Sequence, residues 1–150
     1  MCDGELTESY MVDAFPCEAG PIWARGTDSR RIRRVSDSDG RALTSFLTVQ
    51  IRDELSLSPS FEGTVAKGRA QFSVAFDYVL PGDISSRISL LRGADAIVTI
   101  PGQGVVLRDV GVKAYDFADN LLFARGQHPI LDDVDAEAAE RRVCDALFGG

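Results

Sequence analysis

Residues 70–80 read AQFSVAFDYVL, with Phe72, Val74, Phe76 and Tyr78 at every second position and Gln71, Ser73, Ala75 and Asp77 between them. Strand residues two apart point to the same side, so the stretch predicts a half-buried β-strand whose aromatic side needs a core to cover it. The rest of the chain is read as that cover.

Downstream, Pro81–Gly82 ends the strand. Ile84, Ile88 and Leu91 fit a short helix over residues 83–93, capped by Asp83 and closed by Gly93, whereas residues 87–91 also fit a strand. A helix there makes residues 70–100 a crossover unit with parallel strands, and a strand makes an antiparallel meander. The connection is just long enough for the helix, which is the expectation adopted. Ala96–Ile100, AIVTI, is dense in β-branched residues and reads as an interior strand. Residues 105–117 and 121–125 flank Ala118–Asp119–Asn120 and predict a hairpin. Asp132, Asp133 and Asp135 then place negative charge at the start of a final helix over 134–148, with Ala136, Ala139, Val143 and Leu147 as its buried stripe.

Upstream, Leu43, Phe46, Leu47, Ile51 and Leu55 recur at helical spacing. With a cap from Asp37 or Asp39 and a stop at Ser58–Pro59, they predict an amphipathic helix over 41–57. Residues 26–40, GTDSRRIRRVSDSDG, read as a polar loop with Arg30, Arg31, Arg33 and Arg34 beside Asp37 and Asp39. Self-neutralisation on a solvated loop is one reading, and contact with an anion or phosphate is the other. Trp23 falls in a short edge strand after Pro21. Residues 1–20, interrupted by Pro16 and Gly20, read as an N-terminal arm, and residues 21–150 as a single domain. The expected fold is α+β: one mixed, mostly antiparallel sheet of four to five strands with two main helices on one face.

The 150 residues suffice for one core without covalent staples. A net charge of -7 opposes non-specific attraction to phosphate backbones, which argues against nucleic acid as a partner. No apolar run reaches the roughly 18 residues that a membrane span requires. Arginine supplies nearly all of the positive charge, a bias that suits a bacterial source. Cys2, Cys17 and Cys144 sit at no metal-like spacing, and an odd number excludes a fully paired intrachain set. A reduced, cytoplasmic protein is the plain reading. The alternative is the bacterial envelope, with Cys2 as a lipid-attachment residue after removal of a signal peptide.

Chemistry is faint. His128 is the only histidine, so multi-imidazole metal sites are absent, and no nucleophile elbow, dinucleotide loop or phosphate loop occurs. No cofactor or metal is expected. The first expectation for function is therefore a non-enzymatic interaction or assembly module. It binds a protein partner, or a second copy of itself, through a sheet edge or the N-terminal arm, with Met11, Phe15 and Trp23 as contacts. The second is a small-molecule-binding domain or small enzyme, with Asp77, Arg108 and His128 around a pocket between helix and sheet, and with two of the carboxylates Asp77, Asp109, Asp116 and Asp119 able to meet across the sheet as an acid/base pair. The third is anion contact through Arg30, Arg31, Arg33 and Arg34. The expected element order resembles that of bacterial envelope lipoproteins such as the lipopolysaccharide-assembly family; the resemblance rests on order alone, and implies only that Cys2 once followed a signal.

Overall fold

The computed structural model describes residues 2–131 and 133–149. These residues form β1 (Cys2–Cys17), β2 (Gly20–Ser36), β3 (Ala42–Ser56), β4 (Ala66–Tyr78), β5 (Arg87–Ile100), β6 (Gly104–Tyr115) and β7 (Leu121–Gln127), followed by one α-helix, α1 (Asp133–Phe148). Every strand pairs antiparallel with its neighbour in sequence, giving one seven-stranded sheet in the order β1 to β7.

This corrects the expected α+β arrangement of four to five strands and two main helices. The segment expected as a helix over 41–57 is instead β3, Ala42–Ser56. Leu43, Leu47, Val49, Ile51 and Leu55 all lie at odd positions, on the side of the strand that also buries Ser45. Phe46, counted toward a helical stripe, is 46% exposed on the other side. The two polar residues on the inner side, Ser45 and Asp53, disguise a period of two as a period near 3.6. Thr44, Thr48, Val49 and Ile51 add the β-branched character that favours a strand. The segment 83–93 is likewise no helix beyond the 3-10 turn Ile84–Ser86; Asp83 caps that turn, and β5 begins at Arg87. No parallel crossover is present among the described strands. With both helices gone, the element order behind the envelope-lipoprotein resemblance disappears.

Residues 2–17, read as part of an arm, run beside β2 as the first strand, and residues 26–36, read as a loop, lie within β2. Of the strand expected at residues 70–80, Val79 and Leu80 lie beyond the end of β4, while residues 70–78 fall within it and their even positions face the interior as expected. Their cover is the sheet itself, rolled so that Tyr10 and Val12 of β1 and Ala96 and Val98 of β5, four strands apart, line one cavity.

The helix α1 closes one end of this roll. Ala139, Val143 and Leu147 join Ile22, Ala24, Leu55, Ala66, Val98, Ile100 and Leu107 in one buried cluster. Each fully buried Val, Leu or Ile there stabilises by about 1.5–3 kcal/mol. The helix is tethered twice. Asp135 accepts a hydrogen bond from the Leu131 N–H (3.2 Å), and a disulfide joins Cys17 at the end of β1 to Cys144. Asp132, read as part of the helix start, lies outside the described residues, as does the side chain of Cys2 with its lipid-attachment reading.

The disulfide spans 127 residues, so its main effect is on the unfolded chain. Replacing both cysteines by alanine is expected to destabilise the protein by about 2–5 kcal/mol. Denaturant unfolding of the oxidised protein and the double variant measures the difference.

Candidate functional site

Two polar constellations line the concave side of the roll. The first is built on β6, where Asp109 and Lys113 are four residues apart and therefore point the same way. Both are buried, with 0% and 1% of their surface exposed. A register shift in β5 between Ala94 and Ala96 lies at Asp95, whose carboxylate meets Lys113. Lys113 Nζ donates to Asp109 Oδ2 (2.9 Å), Asp95 Oδ2 (3.1 Å) and the Ile130 carbonyl (2.8 Å), which uses all three ammonium donors. Asp109 also accepts from the Ile130 N–H (3.2 Å), and its Oδ1 lies 2.9 Å from His128 Nδ1. Burial opposes the charge on Lys113, but the hydrogen bonds and charges of Asp109 and Asp95 outweigh it and hold its pKa above the ordinary lysine value.

His128 enters this network because the strands beneath it lack side chains. Gly93, Gly111 and Gly126 stand in register across β5, β6 and β7. A Cβ on Gly111 would lie 2.7 Å from His128 Nε2 and 2.3 Å from the Arg125 carbonyl oxygen. Its φ of +150° is itself one that side-chain-bearing residues rarely adopt. The imidazole thus lies against bare backbone, with Nε2 buried and without a hydrogen-bond partner.

The second constellation is on β1 to β3. Tyr10 donates its hydroxyl proton to Asp53, and the concave cavity between β1 and β5, about 430 Å³, is lined by both residues together with apolar neighbours such as Val12, Ile51 and Ala70. Desolvation and the Asp53 hydrogen bond push the Tyr10 phenol well above its usual range. Burial, helped by the nearby charge of Asp28, raises Asp53 above an ordinary aspartate despite the hydrogen bond from Tyr10.

The residues singled out from sequence do not converge. Met11 is 58% exposed on the convex side of β1, Trp23 lies on the same side of β2, and Phe15 turns to the concave side and packs against the core. The arginine run splits by alternation. Arg30 faces inward and pairs with Asp28 (2.6 Å), and Arg34 falls on that same side by register. Arg31 and Arg33 face outward beside Val35, Phe46 and Thr48. Asp77 is on the convex side, accepting from Thr44 Oγ1 (3.0 Å), and Arg108 is exposed on the convex side of β6. Of the three alternative pocket residues only His128 lies inside, and its partner is Asp109.

Lys113, Asp95, Tyr10 and Asp53 escaped the sequence reading, as did the disulfide; Asp109, one of the carboxylates read as able to pair across the sheet, instead meets Lys113 and His128. The available signal was two opposite charges at i and i+4 on the apolar side of a strand, a placement that only pairing makes tolerable. Among the described residues, no group of three or more His, Cys, Asp and Glu side chains is arranged to hold a metal ion. Among the same described residues, no helix is long and apolar enough to cross a membrane. In comparisons with known proteins, no family model, no curated protein and no solved structure matches the chain.

Removing one member of a buried charge network leaves the others unpaired. Asp109→Ala is expected to cost about 3–5 kcal/mol. The paired replacement Asp109→Leu with Lys113→Met should recover most of that loss, as read by urea unfolding of both variants.

Proposed function

We propose that the protein is a non-enzymatic interaction module that takes up an extended segment of a partner protein as an added strand along β7. The observation that carries this reading is the exposure of β7: all seven residues, Leu121–Gln127, are exposed, a property no other described strand shares. Among the described strands none pairs with its outer edge, and Leu121, Leu122 and Phe123 stand 40%, 55% and 47% exposed. A free edge is a template for strand addition, and proteins that avoid it guard such edges with lysine, proline or a covering element. β7 has neither residue.

The apolar surface continues past the strand. Val79, Leu80 and Ile84 in the β4–β5 connection and Phe117 in the β6–β7 connection are all more than half exposed. Arg87, the first residue of β5, pairs with Asp119 of the β6–β7 connection (3.6 Å). A partner strand on β7 has this apolar tip as an anchor for its end. The Cys17–Cys144 disulfide supports an oxidising location, hence the envelope alternative over the cytoplasm.

The test is a photo-crosslinker at Phe123 in a native extract, followed by reconstitution of the captured pair. Leu122→Lys with Phe123→Lys should abolish the complex while moving Tm by no more than about 2 °C, because both residues are exposed. A wild-type chain that stays monomeric and crosslinks to nothing, or a complex indifferent to the double variant, would falsify the reading.

The concave cavity favours a second reading, a small-molecule site. Its size suits a modest apolar ligand with one polar group at Tyr10 and Asp53. A metabolite panel should then raise the Tm of the wild-type chain and leave an Ile51→Trp variant, in which the cavity is filled, unmoved; a flat panel removes this reading.

A further inference from the structure

The convex side of the sheet, opposite α1, carries an order that the chain's acidic balance hides. Adjacent strands are in register, so residues paired across the sheet form rows. In one row Arg31 is followed by Thr48, Ser73, Arg92, Val112 and Arg125, crossing β2 to β7. In a second, Thr27 is followed by Arg52, Arg69, Ile97 and Arg108. The rows are four residues apart along β2, β3, β4 and β6, about 13 Å, and five apart along β5, where the register shift at Asp95 adds a residue. All six arginines are exposed, and none forms an ion pair with a described carboxylate. On β1 the first row ends at Glu5, opposite Arg31.

Arg52 and Arg69 carry the argument furthest. They are directly opposed on neighbouring strands, an arrangement that costs stability unless a counter-charge answers it. Of the two carboxylates that line the depression beside them, Glu54 is already engaged by Arg25 and Lys67, and Asp53 by Tyr10. Around Arg52 and Arg69 lies a depression of about 750 Å³ whose lining includes Arg25, Thr27 and Lys67. A guanidinium pair over an open depression suits bidentate sulfate or carboxylate groups.

Between the arginine rows runs a third, with Ser29, Gln50, Gln71 and Gln127 among its members. Amides and hydroxyls at those positions match sugar hydroxyls. Stacking of nucleic-acid bases needs aromatic platforms among the cations, and no aromatic residue stands in any of these three rows. The exposed pair Phe46 and Phe123 shares the row beyond them. A flat bilayer cannot touch both ends of a convex surface at once.

We propose that the convex face of the sheet binds a linear anionic glycan, laid across the strands along the two arginine rows. The first row spans five strand spacings, about 24 Å, so several charged units engage together. Glu5, Asp13, Glu54 and Asp77 share this face, but the six arginines with Arg25, Arg33 and Lys67 outnumber them there, so the field still orients the protein with this face toward the polymer.

Titration of the full chain with a heparin decasaccharide, an oligogalacturonate of equal length, a neutral dextran oligosaccharide and an oligothymidylate of matched charge tests the assignment. The anionic oligosaccharides should bind, with affinity falling steeply as salt rises, and the dextran should not. Arg52→Gln with Arg69→Gln should weaken binding by about tenfold or more and lower the salt slope by about two, without lowering Tm. Arg41→Gln with Arg141→Gln, off this face, should change neither. Stronger response to the heparin or to the oligogalacturonate tells sulfate from carboxylate as the preferred group. The proposal is overturned if neither anionic oligosaccharide binds at low salt, if the oligothymidylate binds as tightly with the same sensitivity, or if the paired variant behaves like the control. These variants leave β7 untouched, so the outcome is independent of the strand-addition reading.

Discussion

A seven-stranded meander has far more concave surface than one helix of sixteen residues can cover, and the structure follows from how that shortage is met. The sheet rolls until β1 approaches β5, so that part of its inner surface covers itself. The helix then closes one end with Ala139, Val143 and Leu147. Beyond its reach, apolar filling gives way to the Asp109–Lys113–His128 network, which satisfies its own charges where no further hydrophobic layer is available. Such a network gains little over apolar packing, but it fixes the chain leaving β7 through both backbone groups of Ile130.

How much of this was legible in the sequence depended on whether inner and outer residues were chemically distinct. Residues 70–78 read correctly as a strand because aromatic and aliphatic side chains alternate with small and polar ones without interruption. Residues 41–57 did not, because Ser45 and Asp53 occupy inner positions and Phe46 an outer one. A linear pattern cannot report that a buried serine is tolerated beneath a curved sheet, nor that a phenylalanine is left in solvent. The final helix was recognisable from Ala139, Val143 and Leu147 at helical spacing, with no competing period.

The candidate site was less legible for a related reason. His128 stood out as the single histidine, yet its partner Asp109 and, through it, Lys113 and Asp95 lie upstream in β5 and β6, brought together only by register. The glycines that let the ring approach carry no pattern until Gly93, Gly111 and Gly126 are seen in one row. Arg31 and Arg33 were read as part of a loop cluster with Arg30 and Arg34; the strand divides them between two faces and gives Arg31 its true neighbours, Arg92 and Arg125, which are far away in sequence. Charge segregation of this kind is a property of topology, invisible to a net charge of -7.

The covalent link between Cys17 and Cys144 orders events during synthesis. Each strand pairs only with the one before it, so the sheet can grow hairpin by hairpin as the chain emerges, from contacts that are local and quick to form. The helix is made last, and only its docking brings the second thiol to the first strand. Oxidation therefore acts as a final latch: it becomes possible once the sheet has rolled, and it records in a covalent bond that both ends of the chain have found each other.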